Sequence, residues 1–177
     1  VDRTFVRYRG RKLSYFSGCD YFRLSSHPAV LRALREGLER FGLTVAASRR
    51  TTGNHQLYEL LEGNLGAFFE VPGAVVVSNG YVANMAAAQA VAGMFSRVLI
   101  DERAHTSLAD AALFLRCPVI RFRHRDSDDA ARIVGRLGRS AKIILLTDGV
   151  FVHDGSVAPL GEYLDILPRS GVVLVDD

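Results

Sequence analysis

Residues Ala74 to Met94, AVVVSNGYVANMAAAQAVAGM, hold the first side chains whose types and spacing point to chemistry. A short β-branched apolar run meets a turn at Ser78-Asn79-Gly80, and an Ala-rich stretch of helical character follows. A buried strand that feeds a helix through a glycine turn leaves unpaired backbone N–H groups at the helix start. Such groups attract an anion, for example a phosphate. Gly80 and Tyr81 are therefore candidate binding residues. An ordinary βα corner that binds nothing has the same spacing, because many such turns carry one Gly.

The elements that would position this corner can be read along the chain. Residues Thr4 to Phe16 alternate around Arg9-Gly10-Arg11 and predict a hairpin. A Ser-rich N-cap region before Pro28 opens a helix over Ala29 to Phe41, with Val30, Leu31, Leu34, Leu38 and Phe41 at helical spacing. Thr44 to His55 is polar and non-periodic, a long loop that needs a reason to be ordered. Gln56 to Phe69 returns to helical spacing, and Ala74 to Val77 is expected to be a strand.

Further strands are expected at Arg97–Asp101, Pro118–Phe122, Lys142–Thr147 and Val172–Asp176. Helices are expected at His105–Phe114, Asp126–Leu137 and Leu160–Leu167. Apolar strands alternating with helices describe an α/β fold, a mostly parallel sheet flanked by helices on both faces. Strand ends at Ser78, Asp101, Thr147 and Asp176 should then line one edge, where open sheets bind ligands.

Composition narrows the classes. A chain of 177 residues, 49% hydrophobic and 23% charged, is long enough for one sizeable core. The formal net charge is only +3, and the basic residues are spread out. Arg3–Lys12 and Arg121–Arg125 read better as solvated surface than as a nucleic-acid interface. Cys19 and Cys117 are the only cysteines and form no CxxC pair, and the five histidines are scattered. Neither a disulfide framework nor a metal site is indicated, and a reducing, cytoplasmic setting is the default. No apolar run is long enough for a membrane span, and the N-terminus lacks the apolar core of a secretory signal. The closing run GVVLVDD stops abruptly at what reads as a central strand, which suggests a piece of a longer chain.

Seven blocks in order carry a resemblance: SGCDYFRLSSHPAV (17–30), ASRRTTGNHQLYELLE (47–62), SNGYVANMA (78–86), DERAHTSLADA (101–111), FRHRD (122–126), TDGVFVHDGSVAPL (147–160) and VLVDD (173–177). They resemble the α-oxoamine synthases, pyridoxal 5'-phosphate (PLP) enzymes that condense an amino acid with an acyl-CoA or acyl-carrier thioester and release carbon dioxide. The resemblance implies the large cofactor domain of PLP fold type I, the aspartate aminotransferase-like architecture. It is truncated here, with residues 1–42 as a lead-in hairpin and helix and 43–177 as an incomplete cofactor domain.

The resemblance also implies roles. Gly80 and Tyr81 match the turn that holds the cofactor phosphate, His105 the histidine lying on the pyridine face, and Asp176 the aspartate paired with the pyridine nitrogen. A carboxylate beside that nitrogen keeps it protonated, so the ring can accept electrons from the substrate α-carbon. His105 and Asp176 are thus the implied catalytic residues. A homodimer is implied, with the loop Ala46–His55 as a contributor to the neighbouring site.

The chain departs from the family pattern at Val152, where a serine bonds the cofactor's phenolic oxygen, and also at Cys19, Tyr58 and Asp148. The lysine that tethers the cofactor is expected beyond Asp177, since Lys12 and Lys142 are the only lysines and neither is suitably placed. The chain alone is therefore expected to be inactive. The alternatives are a degenerate scaffold or partner-binding module of the same fold, and another fold type I activity such as an aldolase, aminotransferase or lyase.

Overall fold

The computed structural model describes residues 5–16, 18–138 and 140–177. Arg3 and Thr4 of the expected basic patch and hairpin, and Ser17 of the first family block, lie outside the described residues. The chain divides into two compact units, Val1–Ala74 and Val75–Asp177.

In the first unit, β1 (Phe5–Tyr8) and β2 (Arg11–Ser14) form an antiparallel hairpin. Its two turn residues, Arg9 and Gly10, have φ of 48° and 77°. Positive φ at both positions is the primed turn whose twist matches that of the flanking strands. Helices α1 (Pro28–Phe41) and α2 (Gln56–Phe68) follow. The N-cap of α1 is His27, whose Nδ1 accepts from Ala29 N at 3.2 Å, so the expected serine cap is replaced by an imidazole. His55 caps α2 in the same way through Leu57 N.

The loop between α1 and α2 has an internal cause for its order. Arg49 makes a forked pair with Glu62 at 2.7 and 2.9 Å, donates Nε to Asn54 and lies over the Tyr58 ring. Asn54 in turn donates to Glu59. A bidentate guanidinium–carboxylate pair fixes direction as well as distance, so one side chain clamps the loop to α2. Gly53 is packed so tightly that a Cβ there would lie 2.1 Å from the Ala47 carbonyl oxygen.

In the second unit, the order is α3 (Gly80–Ala90), β3 (Arg97–Asp101), α4 (Thr106–Phe114), β4 (Val119–Phe122), α5 (Ser127–Leu137), β5 (Ile143–Asp148), α6 (Leu160–Ile166) and β6 (Val172–Asp176). The four strands form a parallel sheet in the order β4-β3-β5-β6. Period-two alternation sends Val98, Ile100, Ile144 and Leu146 into one core with α3 and α4 residues Ala88, Leu108, Ala111 and Ala112. Leu99, Ile143 and Leu145 join Ala130, Val134 and Tyr163 of α5 and α6 in the other. A sheet buried on both faces explains why β3 and β5 read as continuous apolar runs.

The expected strand at Ala74–Val77 is not formed, and the sheet does not include it. Strand identity needs a neighbouring backbone as well as a β-branched run. Val75, 79% exposed, has no sheet face to pack against. The carboxyl edge of the sheet therefore consists of Asp101, Phe122, Asp148 and Asp176, with Ser78 outside it.

Candidate functional site

The site is built where α3 and α4 begin and where β5 and β6 end. Asn79 caps α3 by accepting from Val82 N at 2.9 Å, which leaves Gly80 and Tyr81 as its first residues. A Cβ at Gly80 would meet nothing within 4 Å, so the corner is open to a ligand. Tyr81 turns its phenol to Asp110 of α4. That carboxylate accepts the hydroxyl hydrogen and holds the phenol above its ordinary pKa.

His105 is the N-cap of α4, its Nδ1 accepting from Ser107 N at 3.2 Å. Its own backbone N–H donates to Asp148 Oδ1 at 2.8 Å, which ties the start of α4 to the end of β5. Asp148 and Asp176 are register partners on adjacent parallel strands. Asp176 Oδ2 lies 3.7 Å from His105 Nδ1 and 3.3 Å from Ser107 Oγ. Asn84, one turn into α3, donates to Ser107 Oγ at 2.9 Å.

His105 and Asp176 are thus brought side by side. The helix that opens with Gly80 and Tyr81 is bonded to the same group through Asn84 and Ser107. The side chains of His105 and Asp176 remain 50% and 28% exposed, accessible to a bound molecule. Asp148 is 5% exposed, and burial pushes its carboxyl above the usual range. The neighbouring Asp176 and Asp101 push it the same way, and the His105 N–H works against them.

The loop from β3 to α4 is held by Asp101, a fully buried carboxylate. It accepts from Arg103 N at 2.8 Å, Arg125 N at 2.9 Å and His124 Nδ1 at 3.0 Å. Val152 is 74% exposed in the loop after β5. Lys142 immediately precedes β5, at the amino edge of the sheet and away from the site.

Asn84, Ser107, Asp110 and Asp148 escaped the sequence reading as parts of one cluster. A visible signal existed for Asn84, a buried polar residue in an otherwise Ala-rich helix. Ser107 follows His105 by two residues, the spacing at which an imidazole cap meets a backbone N–H.

The family model for aminotransferase class I and II matches residues 18–177. The chain belongs to that family. Its relatives fall in the α-oxoamine synthase group to which the sequence blocks pointed. The chain is 38% identical over 169 residues to an 8-amino-7-oxononanoate synthase of Thioalkalivibrio sulfidiphilus, covering 95% of this chain and 43% of the relative. It is 37% identical to the enzyme of the same name from Nitrosomonas europaea, with the same coverage.

Among solved structures, serine palmitoyltransferase of Sphingomonas wittichii superposes with a TM-score of 0.88 at 29% identity, over 97% of this chain and 43% of that one. The S. paucimobilis serine palmitoyltransferase with bound PLP and myriocin gives 0.88 at 30%, over 97% and 45%. The chain therefore spans less than half the length of the relatives it matches.

Proposed function

We propose that the full-length protein binds pyridoxal 5'-phosphate at the edge formed by Gly80, Tyr81, His105 and Asp176. There it joins an amino acid to an acyl-CoA or acyl-carrier thioester with loss of carbon dioxide. The observation that carries this reading is the contact of His105 with Asp176, beside a helix whose open N-terminal turn suits an anion. The residues fit the cofactor's chemistry: backbone N–H groups for its phosphate, a flat imidazole for its ring face and a carboxylate for its protonated nitrogen. When bound, PLP would supply an electron sink for a carbanion at the substrate α-carbon.

The chain's own residues would do the rest. The first N–H groups of α3 would anchor the phosphate, and the Tyr81–Asp110 contact would keep that helix against α4. His105, fixed as a helix cap, would present a ring face and exclude water from the reacting side. Asp176 would hold a proton on the pyridine nitrogen.

The lead-in segment 1–42 is proposed to precede a cofactor domain that begins at 43. A homodimer is proposed for the whole protein, with the Ala46–His55 loop near the neighbouring site. The apolar side chains of α1 and α2 are compatible with it, because Leu34 is 66% exposed and Leu60 60% and both need cover, from a second copy or from the rest of the protein. No helix among the described residues is long and apolar enough to cross a membrane. Cys19 and Cys117 are free thiols, which supports a reducing, cytoplasmic setting.

The test is release of carbon dioxide and free CoA thiol by the full-length protein, incubated with PLP, acyl-CoA thioesters and a panel of amino acids. Coupled release supports the acyltransferase. Transamination or aldol cleavage without thiol release would replace it with another activity of the fold. Val152 favours one second reading, a scaffold that has lost catalysis, since valine cannot donate to the cofactor's phenolic oxygen. A full-length protein that binds PLP and turns over no substrate would support the scaffold.

A further inference from the structure

We propose that Ser107, oriented by Asn84, is a positioning residue that fixes where the His105 ring carries its hydrogen and thereby keeps Asp176 available to a cationic ligand. The proposal deepens the cofactor reading above and rests on it for the identity of that ligand.

Ser107 is 1% exposed and Asn84 5%, so their bond is shielded from competing water. The Ser107 hydroxyl lies 2.9 Å from Asn84 Nδ2, 2.6 Å from His105 Nδ1 and 3.3 Å from Asp176 Oδ2. A hydroxyl has one hydrogen to give and two lone pairs to offer. The Asn84 amide is a donor and occupies one lone pair, so the hydroxyl hydrogen is directed to the side where His105 and Asp176 lie.

His105 Nδ1 already accepts the Ser107 backbone N–H. The hydroxyl hydrogen takes the shorter of its two contacts, 2.6 Å to Nδ1 against 3.3 Å to Asp176, so the one lone pair of Nδ1 is shared between the two Ser107 hydrogens and the ring's own hydrogen resides on Nε2. An imidazole held in that tautomer has no hydrogen to offer Asp176 from Nδ1, although only 3.7 Å separates them. The carboxylate is then left to pair with a protonated ring nitrogen of the ligand.

Removing the hydroxyl changes this balance. In Ser107→Ala the Nδ1 keeps only the longer 3.2 Å contact from the backbone N–H of residue 107, so it can give that contact up, carry a hydrogen and turn it to Asp176, and the two form a pair that competes with the ligand. Asn84→Ala leaves the hydroxyl in place but frees its direction, so it should produce the same change in weaker form. Ser107→Thr keeps the hydroxyl and should restore the original state.

The experiment uses the full-length protein with isotope-labelled histidine. Ring-nitrogen NMR shifts of His105 report the tautomer without cofactor, and absorbance titration with pyridoxal 5'-phosphate reports affinity. The expected result is an Nε2–H ring in the parent protein and in Ser107→Thr. In Ser107→Ala, hydrogen should appear on Nδ1 and affinity should fall on the order of tenfold, the scale of one hydrogen bond to a charged group.

Ser107→Ala with an unchanged His105 tautomer overturns the proposal, whether or not binding or thermal stability falls. So does Ser107→Thr behaving like Ser107→Ala. A parent protein that fails to bind pyridoxal 5'-phosphate defeats the cofactor reading instead, and the tautomer comparison still decides the role of Ser107.

Discussion

Asp101→Asn is the perturbation whose cost follows most directly from the geometry. The carboxylate is fully buried and serves three donors, with Oδ1 taking Arg103 N and His124 Nδ1 and Oδ2 taking Arg125 N. Asparagine keeps the shape but has one acceptor oxygen. With that oxygen in the Oδ1 position, its amide hydrogens face the Arg125 N–H, so one charge-assisted bond is lost and two donors are opposed. With the amide reversed, two bonds are lost. Hydrogen bonds to charged groups contribute about 1.5–3 kcal/mol each, and the milder arrangement therefore costs about 3 kcal/mol. For a chain of this size that lowers Tm by roughly 6–12 °C.

The chain has no tryptophan, so far-UV circular dichroism during urea and thermal unfolding is the suitable assay. Glu102→Gln is the control, because the Glu102 side chain accepts an exposed bond from His124 N that glutamine can also accept, and it should shift stability by no more than about 0.5 kcal/mol. The loop that Asp101 holds leads to His105, so Asp101→Asn should also weaken cofactor binding. A loss no larger than that of the control would refute the reasoning that Asp101 organises the loop.

Two other outcomes are expected. Gly53→Ala forces a Cβ to 2.1 Å from the Ala47 carbonyl oxygen and should destabilise the first unit by about 2–3 kcal/mol; proteolytic cleavage within residues 44–55 would report it, and parental resistance would count against the packing described. Asp148→Asn should stabilise the protein at neutral pH. Burial keeps the Asp148 proton bound above the ordinary carboxyl value of 3.8, so the folded state binds more protons than the unfolded one. The parent therefore loses stability as pH rises from 3.8 through the raised value, and the variant does not. Matched melting curves across that range that stay parallel, or a variant less stable at neutral pH, would contradict the assignment.

Much of the second unit was legible because its signals are local or periodic. Ile143–Leu146 are all buried, and a run apolar at every position admits a central strand but not a half-exposed one. The acidic first turn of α5 was readable too, with Asp126 as its cap. Ala74–Val77 was misread because its β-branched residues meet the composition of a strand, while pairing depends on a neighbour that no local pattern encodes.

The helix caps show a different limit. His27, His55 and His105 each accept from the backbone two residues on, a task for which serine or aspartate is the usual expectation. The identity of His105 and Asp176 as a pair was reachable only through the ordered sequence blocks, since 71 positions separate them. Ser107 and Asn84 belong to no separate motif, and their joint position depends on how α3 packs against α4.

The central claim is that one small heterocycle is gripped by the Gly80 corner, the His105 ring and the Asp176 carboxylate together. A crystal structure of the full-length protein soaked with pyridoxal 5'-phosphate tests it most directly. The predicted result has phosphate oxygens about 3 Å from the Gly80 and Tyr81 N–H groups, the ring against His105 and its nitrogen about 3 Å from Asp176. Phosphate bound elsewhere, or a ring nitrogen facing a group other than Asp176, would contradict the account.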